Sequence, residues 1–252
     1  MKVRNWTREE EIIVFNLYCK IPFKSSSKNH PDVIEIVNMK IGNFGSFDDN
    51  LKAQGIVGLS NASRLDKEIF SEFNKDWDKL AYESEKLVAE YKGCKNFEDY
   101  ILPIGTEKAI ILAKAAVAKG NLKAPLTPGF FRQAVLTSYN NACCMTGLSN
   151  GELLVASHIK PWKDSDGCEK TDPRNGLCLN SLHDRAFDRG FITVSDRYMI
   201  VVSNDIKDIY NGETVDRFFS VFNGQKISLP EKFLPQKEYL QYHNDCIFEN
   251  WW

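Results

Sequence analysis

Apolar residues in the first third of the chain recur at helical spacing. Ile12, Ile13, Val14, Leu17 and Tyr18 make one broad face. Ahead of them, Thr7 and Glu10 form the S/T-x-x-E box that starts helices, with Trp6 placed to staple onto the first turn. The polar stretch KSSSKNHP reads as a loop, with Pro31 near the next helix start. From Gln54 to Gly93 the pattern predicts a turn and then one long helix capped by Ser63 or Asn61. Its stripe of Ile69, Phe73, Trp77, Leu80 and Leu87 suits a core or a dimer surface. Beyond Cys94 the pattern loosens around an apolar centre at Ile110–Val117. Gly120, Pro125, Pro128 and Gly129 then punctuate it, which sets a domain boundary near residue 122.

The second half mixes periods. A short helix is expected over Phe130–Tyr139, a strand over Leu153–Ser157, a second short strand or turn over Asn175–Leu179, and a helix over Ser181–Arg189. Phe191–Val194 and Tyr198–Val202 alternate as strands around a Ser195–Asp196–Arg197 turn. The closing IFENWW is expected to pack its tryptophans back onto the core. Residues 1–122 thus read as an all-helical domain and 123–252 as a mixed one, an α+β chain without internal repeats.

Composition is that of a globular protein, 43% hydrophobic and 26% charged. The net charge of −2 offers no basic footprint for nucleic acid, and Lys123–Arg197 holds nine Lys or Arg against eight Asp or Glu. A metal ion among acidic side chains would change that local sign. None of the seven cysteines forms a Cys-x-x-Cys pair. MKVRNWTREEE lacks the apolar core of a signal peptide and no apolar run approaches membrane-spanning length, so reduced thiols in a cytoplasm are the expectation.

The chemistry concentrates between Leu153 and Gly190. Two of the four histidines lie there, His158 ending an apolar run and His183 on the expected helix beside carboxylates, with Asn175 between them. One imidazole can deprotonate water, an amide can hold that imidazole or its loop, and a His with a nearby Asp can hold a divalent cation. His30 and His243 are given no chemical role, and the adjacent Cys143 and Cys144 are expected to be buried.

HIKPW, NGLCLN and LHDRAFDRG, followed by FITV, resemble the core of the HNH (ββα-metal) nucleases, in the bacterial branch described as HNH restriction endonucleases. The likeness runs upstream through FFRQAVLTSYNNACCMTG and downstream through LPEKFLPQKEYLQYH, roughly Pro128 to Trp252. It implies a ββα-metal nuclease domain after the helical one, cutting DNA with a divalent metal in restriction or phage defence. His158 would be the general base and Asn175 the residue that fixes its orientation. His183 and Asp188 would bind the metal, joined by Ser157, the residue before the base. Asp184 is held in reserve, because it is four residues from Asp188, the better helical spacing, whereas His183 is five away. Mg²⁺ is the default cation, with Mn²⁺, Ni²⁺ or Zn²⁺ as alternatives. The structural zinc that many relatives hold with two Cys-x-x-Cys pairs is expected to be absent.

WTREEEIIVFNLYCKIPF resembles the opening helix of Myb-like or homeodomain-like modules. VIEIV and NMKIGNF are fused at Val37 and Asn38, where the relatives carry a longer helix-turn-helix segment. The helical half is thus expected to bind DNA, present the nuclease to a partner or form a homodimer. The competing expectation is a catalytically weak nucleic-acid-binding or assembly protein that keeps the HNH fold.

Overall fold

The computed structural model describes residues 6–23, 35–91, 128–209 and 212–248. The expected boundary near 122, the loop before Pro31 and the terminal tryptophans lie outside them. The chain divides into two compact units, Met1–Ala134 and Val135–Trp252.

Among its described residues the first unit is wholly helical. Helix α1 (Arg8–Lys20) starts on the expected box: Thr7 Oγ1 accepts from Glu10 N at 3.3 Å, and Glu10 Oε2 accepts from Thr7 N at 3.0 Å. Helix α2 (Glu35–Gly45) runs unbroken through the fused Val37–Asn38 junction, and a short α3 (Asp49–Ala53) follows. The single long helix expected after Ser63 is instead two, α4 (Arg64–Phe73) and α5 (Trp77–Tyr91). Ser63 does cap α4, but Asp76 opens a second start by accepting from Lys79 N at 3.1 Å. A local carboxylate for the orphan amides of α5 makes the break affordable. The apolar stripe survives because both helices face one core, in which the Phe15 ring meets Tyr18, Phe44, Phe70 and Trp77.

A charged cluster is sealed between α1, α2 and α4. Lys40 Nζ donates to Glu11 and, at 2.7 Å, to Asp66 Oδ1, while Asn43 donates to Asp66 Oδ2 at 2.8 Å. Glu11 and Asp66 are wholly buried, and Glu11 Oε2 has no partner. Burial pushes the Glu11 carboxyl up to about 7 against the pull of Lys40.

The second unit begins within helix α6 (Pro128–Ser138). A knuckle at Cys143–Gly147 leads to strand β1 (Leu154–His158). Inside the polar stretch SDGCEKTDPR sits a further short helix, α7 (Gly167–Thr171). Its box, in which Asp166 caps and Glu169 reaches back, is a helix signal with no apolar face to announce it. Strand β2 (Gly176–Asn180) pairs antiparallel with β1, His158 opposite Gly176 and Leu154 opposite Asn180. Helix α8 (Ser181–Asp188) follows without a break, and β3 (Ile192–Val194) pairs with β4 (Ile200–Val202) around the expected turn.

Gly190 ends α8 at φ +68°, and a Cβ there would sit 2.1 Å from the Ile247 carbonyl oxygen. Only glycine allows both the left-handed turn and that close approach. Short helices α9 (Asn204–Ile209) and α10 (Glu213–Phe218) lead to α11 (Lys237–Cys246). From α11, His243 lays its ring on Phe187 of α8 with centroids 3.7 Å apart. His243 Nε2–H donates to the Phe187 carbonyl at 3.1 Å, so Nδ1 accepts from the Thr193 hydroxyl at 2.8 Å. No chemical role is needed to explain so fully bonded a ring.

Two measurements check these interiors. Lys40→Met strands two buried carboxylates and should cost about 3–5 kcal/mol in urea denaturation. Burial pushes His243 from 6.5 down to about 4, so its share of stability is complete above pH 6.5 and is lost as pH falls through 4. Over that window thermal melts should lose up to about 1.4 kcal/mol per pH unit. In His243→Phe this slope should vanish.

Candidate active site

The two halves of the β1–β2 hairpin are joined by residues 159–175, and this loop is closed by side chains. Asn175, fully buried, accepts through Oδ1 from Lys160 N at 2.8 Å and donates through Nδ2 to Lys160 O at 3.2 Å and Glu169 O at 3.1 Å. The backbone adds Ile159 N to Asn175 O at 2.9 Å. Lys160 Nζ meets both Glu169 carboxylate oxygens, at 2.8 and 2.6 Å. Asn175 therefore braces the loop, with no hydrogen bond to the His158 ring itself.

The brace acts on His158 indirectly, because the loop it closes ends at Lys170. The Lys170 carbonyl accepts from His158 Nε2 at 3.0 Å. A carbonyl can only accept, so the proton sits on Nε2 and Nδ1 is the basic nitrogen. Burial holds the His158 pKa below its ordinary value, against the opposing Lys170 carbonyl, which keeps the ring neutral around neutral pH.

Ser157 lies one residue before, so its Cα is ~3.8 Å from that of His158. The Ser157 hydroxyl is buried and makes no well-formed hydrogen bond. It stands beside the Asp184 carboxyl, which burial raises and the Ser157 hydroxyl and Arg185 partly lower. One turn along α8, burial and then repulsion from Asp184 push Asp188 up to about 6. The two mutually repelling carboxyls, with the Ser157 hydroxyl beside Asp184, form a set of hard oxygen donors, which fits Mg²⁺ or Mn²⁺ better than Zn²⁺. Among the described residues no three His, Cys, Asp or Glu side chains converge to hold a metal, so water would complete the shell.

His183 is directed elsewhere. Its Nδ1 accepts from Asn180 Nδ2 at 2.8 Å, its Nε2–H donates to the Phe218 carbonyl at 2.8 Å, and its ring stands edge-on to Phe219 and Phe222. Both nitrogens are thus taken up, whereas Asp184 and Asp188 share the carboxylate face. A groove of about 670 Å³ opens on the His183 side, lined by Leu148, Leu153, Asn180 and Phe218, and none of Ser157, His158, Asp184 or Asp188 lines it.

Asn180 is a residue that pattern reading passes over. Its Oδ1 caps α8 through Leu182 N and His183 N, while its Nδ2 also reaches Thr146 Oγ1 at 3.3 Å and Cys143 Sγ at 3.7 Å. Although burial opposes it, contact with His183, Thr146 and backbone amides lowers the Cys143 thiol to about 6. An Asn immediately before a helix and three residues ahead of a His was the available signal.

An antiparallel hairpin runs straight into a helix, with a histidine at one strand end and two carboxylates one turn apart on the helix, a ββα arrangement. Residues 143–195 match the family model described as HNH endonuclease, which takes in the knuckle, β1, β2, α8 and β3. This segment is similar to the HNH nucleases, which typically use a divalent metal and act on DNA, and the match does not extend to the rest of the chain. No curated protein matches the chain. Among the described residues no helix is long and apolar enough to cross a membrane.

Asn175→Ala would leave Lys160 N–H without its acceptor and open the loop. A loss of about 1–3 kcal/mol in thermal denaturation is expected, with faster hydrogen exchange confined to residues 159–175.

Proposed function

We propose that this protein is a metal-dependent DNA endonuclease that hydrolyses phosphodiester bonds in restriction or phage defence, with His158 as general base. The observation that carries the reading is the buried Ser157 hydroxyl against the Asp184 carboxyl, with Asp188 coupled to Asp184 one turn along, followed directly in the chain by an imidazole whose proton is held on Nε2.

In this reading His158 Nδ1 takes a proton from a water molecule as its oxygen attacks phosphorus. The bond from phosphorus to the 3′ oxygen breaks, and that oxygen leaves and takes a proton from solvent water. The Lys170 carbonyl stabilises the imidazolium that forms, because Nε2–H already points at it. Asn175 acts as a positioning residue by keeping that carbonyl in place. Asp184 and Asp188, with Ser157, would hold the cation. Mg²⁺ is the default, and when bound it neutralises charge on the phosphoryl and leaving oxygens. His183 keeps the helix start and the knuckle together instead of serving as a ligand.

A second reading, a nucleic-acid-binding or assembly protein of weak catalysis, draws on Ser157, a poorer ligand than a His or Asp would be in that place. Plasmid incubated with the full chain and Mg²⁺ or Mn²⁺ separates the two. Cutting that is abolished by EDTA and falls about 100-fold or more in His158→Ala, with Asp184→Asn and Asp188→Asn similarly impaired, fits the endonuclease. Retardation of the plasmid in a gel without any cutting would favour the binder.

A further inference from the structure

Trp162 closes the HIKPW run with 45% of its surface in solvent, so part of the indole is open to a ligand. It stands against the proposed base: the Trp162 and His158 rings are 5.6 Å apart with planes at 83°. Lys170 Nζ lies over the indole at 5.2 Å, while the carbonyl of the same residue holds His158 Nε2. One residue therefore fixes the base and charges the neighbouring indole. Two other cations of this loop are paired, Lys160 with Glu169 and Arg174 with Asp172, whereas among the described residues Lys163 is not. Lys170 has no ion pair among the described residues.

A cation beside an exposed aromatic ring is the pairing that receives one nucleotide, the base on the ring and the phosphate on the ammonium. A base inside a duplex has both faces covered by its neighbours, so only an unpaired base can stack on a side chain. We propose that Trp162 and Lys170 form a nucleobase-stacking subsite next to the cleavage position, and that the preferred substrate is DNA with an unpaired strand there. This rests on the endonuclease reading and goes beyond it by naming the substrate class.

The test measures binding of a labelled oligothymidine, and of the same strand paired with oligoadenine, to the full chain in EDTA by fluorescence anisotropy. Wild type should bind the single strand more tightly than the duplex. Trp162→Ala should weaken single-strand binding by about fivefold or more while duplex binding stays unchanged. In Trp162→Phe, where a ring remains, most of the affinity should return. Circular dichroism should match wild type, because the side chain is exposed. Equal affinities for strand and duplex, or an alanine variant that binds the strand like wild type, overturn the subsite while metal-dependent plasmid cutting leaves the nuclease reading standing. A wild type that neither binds nor cuts either DNA overturns both.

Discussion

The loop after β1 leaves at His158 and must return at Gly176, directly opposite, and the buried amide of Asn175 is what closes it. A side-chain amide can accept and donate at once, and Asn175 does both to the backbone of Lys160 while also reaching Glu169. The closed loop presents the Lys170 carbonyl to His158, and that carbonyl decides which ring nitrogen is basic. An apolar residue at 175 would leave buried backbone groups unpaired and the histidine tautomer undetermined. The tautomer of His158 thus depends on a residue that makes no hydrogen bond to its ring.

Helix α8 serves two surfaces at once because its residues divide by face. Asp184, which meets Ser157, and Asp188 one turn along are close enough to repel each other. His183 and Phe187 point inward, one held by Asn180 and the Phe218 carbonyl, the other stacked on His243. The helix is short, so packing and its Asn180 cap, more than intrinsic propensity, must hold it. Gly190 then lets the chain turn immediately beneath the Ile247 carbonyl. The family match spans 143–195, yet contacts from Phe218 and His243, both outside it, orient the helix that carries the carboxylates.

The helical unit follows a different economy. Its aromatic core around Phe15 is ordinary burial, but Lys40, Glu11 and Asp66 place charge where water cannot reach. Buried ion pairs of this kind add little net stability over apolar packing and instead penalise any arrangement that separates the partners. That makes the cluster a lock on how α1, α2 and α4 meet.

Much was legible in the chain alone where the signal is local. Thr7 with Glu10 and Ser63 with Asp66 start helices because a side-chain oxygen three residues from a free amide satisfies it in any context, and alternation over 192–202 dictated a hairpin. The motif run from His158 to Gly190 likewise carried the resemblance to HNH nucleases, which the family match over 143–195 repeats. What the chain could not disclose is what meets over long separations. The break at Asp76, the brace from Asn175 to Lys160, the capture of His183 by Phe218 and the indole set against His158 all depend on which backbone groups the finished fold brings into reach. A hydrogen bond or ring contact forms only within a few ångströms, and sequence spacing determines such distances only within a helix, strand or turn. Sequence therefore named the chemistry available, and tertiary packing decided which nitrogen, which carboxylate and which surface could use it.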